Sequence, residues 1–186
     1  ADSTHNRPMD NFDPTLISVV MPCHNAAPYV EEAIGSVLGQ DYPHIELIVV
    51  DDGSTDGSSE ILQRLASNAP ERITLLYQNR AGPFAARNRA LAHANGNYIA
   101  FLDADDTWQP DALSRMHDAL ETRAADIAYC GWQNIGIAAT DTQPNIPPEF
   151  DANAAILHFL AHPPWPVNSV LIRRPLIDAL RGFSER

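Results

Sequence analysis

Tyr98-Ile99-Ala100-Phe101-Leu102-Asp103-Ala104-Asp105-Asp106 joins an apolar run to three aspartates within nine residues. The run at 99–102 reads as a buried strand, short and apolar throughout. Carboxylates gathered at the end of such a strand are costly to bury unless something offsets their charge. A divalent cation shared with a phosphate-bearing ligand does so, because hard cations take oxygen ligands. In open α/β sheets the carboxyl ends of the strands are also where ligands bind. The stretch therefore predicts an α/β sheet with metal-assisted chemistry on a phosphorylated ligand at one edge.

The same alternation extends outward. Residues 16–21, 45–50, 73–77 and 127–132 form further strand-like runs. Between them lie helix-like stretches at 28–38, 58–66 and 84–94, the last closed by Asn95-Gly96, and another from Pro110 to about Thr122. Strands alternating with helices are the mark of βαβ units and a mainly parallel central sheet. After Trp132 the periodicity weakens, and residues 133–150, with Pro144, Pro147 and Pro148, read as a long loop. A short helix is expected at 152–160 and an extended turn at Pro163-Pro164-Trp165-Pro166. A strand at 167–172 and a helix at 176–180, stopped by Gly182, complete the reading.

Composition narrows the chemistry. A chain of 186 residues is most simply one domain. Its net charge of −12 disfavours a nucleic-acid polyanion as partner. All twelve basic residues are arginine, so Walker-lysine, Schiff-base and lysine-base mechanisms are excluded together. Cys23 and Cys130 show no metal-ligand spacing and read as core thiols of a reducing compartment. No apolar run approaches the ~20 residues that span a bilayer. The polar start, residues 1–14, is expected to be a flexible segment that is not signal-like.

Three strand ends carry polar loops: Pro22-Cys23-His24-Asn25, Asp51-Asp52-Gly53-Ser54 and Asp103-Ala104-Asp105-Asp106. In a parallel sheet they project from one edge and converge on one site. Asn25 and Asp56 are equally readable as helix caps. Capping alone does not call for carboxylate pairs after buried strands.

Taken in order, residues 17–25, 46–56 and 97–106, with Arg80 to Asn88 between, resemble a family 2 glycosyltransferase of the GT-A fold, a Rossmann-like three-layer sandwich. The likeness covers roughly residues 15–132, which the resemblance makes the donor-binding part; 133–186 would begin an acceptor-side region. It implies transfer of a sugar, with inversion, from a nucleotide-diphosphate donor, a UDP-sugar being favoured. The acceptor would be a saccharide or lipid-linked saccharide. A cytoplasmic setting is expected from the absence of signal-like and spanning runs alone, and enzymes that build surface polysaccharides also sit at the inner membrane face. Asp52 matches the carboxylate that bonds the nucleobase, and Pro22 lies in the loop lining the base pocket. His24, Asn25, Gly53, Ala104 and Arg87 join them as nucleotide-binding candidates. Asp103 would meet the ribose or the metal shell, and Asp105 would ligate Mn²⁺ or Mg²⁺ directly.

There are departures from the pattern. His24 stands where many relatives carry tyrosine, and Ala27 where many carry glutamate. His24 is readable as stacking on or bonding the base, or as a plain surface histidine. Arg80 and Arg89 are candidate phosphate neighbours, though exposed arginines are commonly only solvated. The family's general base follows a Gly-Phe-Asp-Glu-like turn, here Gly182-Phe183-Ser184-Glu185, so the base is expected beyond Arg186 and the chain reads as a truncated domain. Glu185 belongs to the turn itself, and no motif supports Asp141, Glu149 or Asp151. A lone Trp165 between prolines is open to sugar stacking or to packing. Two alternatives stand beside this one. The first is a non-catalytic nucleotide-sugar-binding module. The second is a haloacid-dehalogenase-like phosphatase with Asp103 as nucleophile; that family carries its motif on the first strand, whereas three strands precede it here.

Overall fold

The computed structural model describes residues 12–136, 142–147 and 166–185. The expected helix at 152–160, Trp165 and the carboxylates Asp141, Glu149 and Asp151 lie outside them. The order of elements is β1 (Asp13–Cys23), α1 (Val30–Leu38), β2 (Ile45–Asp52), α2 (Ser58–Asn68), β3 (Ile73–Gln78), α3 (Pro83–Leu91), β4 (Gly96–Phe101), α4 (Ala112–Arg123) and β5 (Ile127–Tyr129). A 3₁₀ turn (Val167–Ser169) then leads into β6 (Val170–Arg173) and α5 (Arg174–Leu180).

The strands form one sheet in the order β3-β2-β1-β4-β6-β5. The first four are parallel, and β6 runs antiparallel to both β4 and β5. Side chains alternate faces along each strand. Val19, Met21, Leu47, Val49 and Ala100 pack on the face covered by α1, α2 and α4, through Ile34, Leu62 and Leu113. Val20, Ile48, Val50, Ile99 and Phe101 pack on the other, against Ala86 and Ala90 of α3 and Ile177 of α5. Burying one such aliphatic side chain contributes about 1.5–3 kcal/mol, so helices on both faces are what makes these largely apolar strand centres stable. The result is the expected three-layer α/β sandwich. Among the described residues no helix is long and apolar enough to cross a membrane.

Several boundaries differ from expectation. Strand β1 starts at Asp13, whose N–H donates to Asn95 O at 3.0 Å, so the last residues of the supposedly flexible 1–14 segment are in the sheet. Strand β2 runs through Asp51 and Asp52, which pair in register with Tyr77 and Gln78. Strand β5 stops at Tyr129, and Trp132 instead makes an isolated bridge with Asn145. Of the strand expected at 167–172, the first three residues form the 3₁₀ turn. Because β6 lies between β4 and β5, residues beyond 133 complete the sheet begun before it.

Gly96 was expected to stop α3. Helix α3 ends at Leu91 and the chain tightens into i→i+3 bonds, His93 N–H to Ala90 O and Ala94 N–H to Leu91 O. Gly96 opens β4 at a point of close contact: a Cβ there would sit 2.3 Å from Leu16 O and 2.8 Å from Ser18 Oγ. Its N–H donates to Ser18 Oγ, which donates to Glu46. Gly96→Ala is expected to lower stability by about 2–3 kcal/mol through backbone displacement. Urea denaturation reads this as a lower midpoint, and an unchanged midpoint would contradict it.

Candidate functional site

The chain winds from β1 outward through β2 and β3, then crosses back to β4 on the other side of β1. The crevice between the carboxyl ends of β1 and β4 is therefore the switch point of the sheet, where open α/β sheets bind ligands. A cavity of about 300 Å³ lies there, lined by Pro22, Cys23, His24, Asn25, Ala26, Tyr29, Asp52, Arg80, Pro83, Arg87, Asp103, Ala104 and Asp105. That volume is at the lower end of the range for small-molecule pockets.

The β1 and β2 loops are sewn together by side-chain-to-backbone bonds. Asn25 Oδ1 accepts from Thr55 N–H at 2.8 Å, and Asp56 Oδ2 accepts from Ala27 N–H at 3.0 Å. Ser58 Oγ accepts from the buried Ala26 N–H at 2.9 Å. Asn25 adopts a left-handed φ of 52°, which asparagine tolerates. Neither Asn25 nor Asp56 is the N-cap residue; those positions are Tyr29 and Gly57. Both instead brace one loop against the other. The hydrogen bonds from Ser58 and from backbone N–H groups hold the Asp56 carboxyl below its ordinary pKa.

Asp51 and Asp52 are both buried but do different things. Asp51 closes its own turn, accepting from Ser54 N–H at 2.9 Å and from the Ser59 hydroxyl. Asp52 faces the cavity. Its Oδ1 accepts from Gln78 Nε2 at 2.8 Å and Ala81 N–H at 2.7 Å, and its Oδ2 from Gly82 N–H at 2.9 Å. His24 Nδ1 lies 2.9 Å from the Asp52 carbonyl oxygen, which can only accept. The ring therefore carries a proton on Nδ1, and Nε2 is its other polar atom at the cavity.

On the β4 side, Arg87 Nη2 donates to Asp103 Oδ1 at 2.5 Å. The Arg87 side chain is 7% exposed and that of Asp103 35%, so the cation is buried and the carboxylate is half open to the cavity. Asp105 is exposed at the rim. Asp106 turns away and accepts from Asn168 Nδ2; burial raises its carboxyl above the ordinary pKa, partly offset by that bond. The loop is anchored by Trp108, whose N–H donates to Ser36 Oγ and whose Nε1 donates to Asn168 O. Burial, followed by the Asp51 charge, pushes the Cys23 thiol up to about 11, so it is a neutral wall of the cavity and not a nucleophile.

Of the residues singled out by sequence, Pro22, His24, Asn25, Asp52, Arg87, Asp103, Ala104 and Asp105 meet at this cavity. Gly53 does not line it. Its φ of 70° and the 3.1 Å from a would-be Cβ to Arg80 N show a glycine required for chain approach. Arg80 does line the cavity, whereas Arg89 does not. Tyr29, Ala26 and Pro83 went unnoticed; their one available signal was position in the turns flanking the helices after β1 and β3. Among the described residues no three His, Cys, Asp or Glu side chains gather to hold a metal alone. Mg²⁺-type sites commonly use one or two carboxylates and complete their shell with substrate phosphates and water. The oxygen-only pair Asp103 and Asp105 fits that pattern.

A mainly parallel three-layer sheet with a carboxylate-lined crevice at its switch point is the architecture of a GT-A domain. The family model described as glycosyl transferase family 2 matches residues 18–179, and the chain belongs to that family. It is 42% identical over 125 residues to a protein named as a putative teichuronic acid biosynthesis glycosyltransferase of Bacillus subtilis, covering 67% of this chain and 49% of that one. It is 35% identical over 172 residues to an uncharacterized glycosyltransferase of Haemophilus influenzae, covering 89% and 65%. The chain thus spans less than two thirds of the length of either relative. Among solved structures it superimposes on Staphylococcus aureus TarS 1–349 with a TM-score of 0.72 at 23% identity, over 92% of this chain and 51% of that one. It superimposes on the mannosyltransferase PcManGT of Pyrobaculum calidifontis, solved with GDP-Man and Mn²⁺, with a TM-score of 0.70 at 25% identity, over 98% and 52%.

Proposed function

We propose that this domain binds a nucleotide-diphosphate sugar and presents its anomeric carbon for transfer, with inversion, to a saccharide or lipid-linked acceptor of a surface polysaccharide. The observation that carries the reading is the gathering of Asp52, Arg87, Asp103 and Asp105 around one cavity at the β1/β4 crevice. Asp52, with Pro22 and His24 beside it, is placed to take the nucleobase. Three internal donors already use three of its roughly four acceptor positions, which leaves room for one ring N–H. That count favours uracil, which offers a single donor flanked by two carbonyls, over a base that needs two adjacent acceptors.

Arg87 and the rim Arg80 supply positive charge to the diphosphate, in a chain that carries no lysine to share the task. Asp103 and Asp105 would hold Mn²⁺ or Mg²⁺, which when bound stabilises as a Lewis acid the negative charge developing on the leaving diphosphate. Once Asp52, Asp103 and Asp105 are assigned to the donor, no carboxylate remains among the lining residues to act as general base. Deprotonation of the acceptor hydroxyl is therefore assigned to a group outside this lining. The acceptor class rests on the name of the Bacillus relative. The donor class is supported by the GDP-Man bound to the Pyrobaculum enzyme.

A thermal-shift series with UDP, GDP, thymidine diphosphate and inorganic pyrophosphate, each with and without Mn²⁺, tests this. UDP with Mn²⁺ is expected to raise the melting temperature most, since ligand binding to the native state stabilises it. Shifts that ignore the metal, or no shift with any nucleotide, would overturn the reading. A pure nucleotide-sugar sensor would give the same shifts with no hydrolysis or transfer, and product analysis separates the two.

A further inference from the structure

The turn after α5 reaches across the molecule to the back of the donor cavity. Arg181, with a φ of 61°, and Gly182, with a φ of 75°, end α5 in left-handed geometry. The next residues then dock on α3. Asn88 holds them as a strand neighbour would: Phe183 N–H donates to Asn88 Oδ1 at 2.8 Å, and Asn88 Nδ2 donates to Phe183 O at 2.9 Å. Asn88 Nδ2 also reaches Glu185 Oε1 at 2.6 Å. A Cβ at Gly182 would lie 2.6 Å from Asn88 Oδ1, so a side chain there would displace the Asn88 amide from Phe183.

So held, the Phe183 ring stacks on Phe84 of α3 with centroids 5.9 Å apart and meets Phe101, at the end of β4, edge-on at 5.2 Å. The Arg87 guanidinium carbon lies 5.6 Å from the Phe183 ring centre and 5.9 Å from that of Phe84. Arg87 Nε is buried with no hydrogen-bond partner. The guanidinium is thus kept in place by two ring faces and by Asp103. A long side chain on a short helix has many rotamers, and an aromatic face that attracts the cation selects among them.

We propose that the turn at 182–185 is a brace that sets Arg87 over Asp103, making Phe183 and Asn88 positioning residues for diphosphate binding although neither lines the cavity. This rests on the donor reading above. It also gives the Gly-Phe-x-Glu turn a role in the donor half of the reaction, apart from anything that follows it in the chain.

Isothermal titration of UDP with Mn²⁺ onto the full chain, in a double-mutant cycle, tests the brace. Phe183→Ala is expected to weaken UDP about tenfold, the size of one desolvated cation–π contact. Phe183→Tyr, which keeps the ring, is expected to bind as the parent does. In an Arg87→Ala background the Phe183→Ala change should have no further effect, because the group it positions is gone. A purely structural role predicts instead that the two losses multiply. If Phe183→Ala fails to fold, Phe183→Leu and Asn88→Ala carry the same test. Parent-like UDP affinity in these variants, or independent losses in the double variant, would overturn the brace and leave the donor reading intact. A parent chain that binds neither UDP nor GDP would remove the donor reading itself, and the brace with it.

Discussion

Asp105→Ala is expected to reduce Mn²⁺-supported UDP binding at least 100-fold, to the level seen without metal, while leaving ligand-free stability within about 0.5 kcal/mol of the parent. The two halves of this expectation have separate causes. Asp105 sits exposed at the cavity rim, so its removal creates no cavity and strands no buried donor. Asp103 already shares one oxygen with Arg87, so it cannot take over a second carboxylate's share of the metal shell. Without the cation, the diphosphate would face the residual carboxylate with only arginine to offset its charge. Calorimetry with and without Mn²⁺ gives the affinities, and thermal melting of the free protein gives the stability. If the variant still binds UDP more tightly in Mn²⁺ than without it, the metal belongs to other residues.

The architecture was legible because the apolar runs at 47–50 and 99–102 are continuous, and only strands covered on both faces can be so. Their two-sided burial implies helices on each side, and the helical periods supply them. The convergence of Asp52, Asp103 and Asp105 was legible for a related reason: parallel strands put every following loop on one edge, whereas Arg87, inside α3, was pointed to by the family likeness alone. Glycine roles were not. Gly96 after Asn95 looks like a helix stop, yet what demands glycine is Leu16 O from a strand 80 residues earlier. Gly53 looks like part of a ligand loop, yet what approaches it is the backbone of Arg80. Such constraints come from chain segments distant in sequence, and no local pattern carries them. The same holds for Phe183 and Arg87, whose contact links α3 to the turn after α5. Arg80 was set aside because exposure makes arginine cheap to solvate; only the path of the loop that Asp52 holds brings it to the cavity.

Asp52 is expected to fail in two measurable ways at once, which separates it from a residue that only touches ligand. Its carboxylate accepts from Gln78, Ala81 and Gly82 while 3% exposed, so it fixes the path of the chain from β3 into α3. Gly82 is the N-cap of α3, Pro83 follows it, and the helix so begun carries Arg87. An asparagine at 52 keeps one acceptor oxygen and turns an amide donor toward the other partners. Gln78 can rotate its amide to suit, but a backbone N–H cannot, so at least one of Ala81 and Gly82 loses its bond to the buried carboxylate. Losing a hydrogen bond to a carboxylate costs about 1.5–3 kcal/mol. Asp52→Asn is therefore expected to lower ligand-free stability by that amount in urea denaturation, and Asp52→Ala, which removes the acceptor of all three donors, by roughly 3–5 kcal/mol. Both variants should also bind UDP at least tenfold more weakly under native conditions, because the acceptor for the base is lost or reversed. Ligand-free stability equal to the parent's would rule out the loop-holding role. Reduced stability with parent-like UDP affinity would remove Asp52 from the base site and leave it as the latch that starts α3.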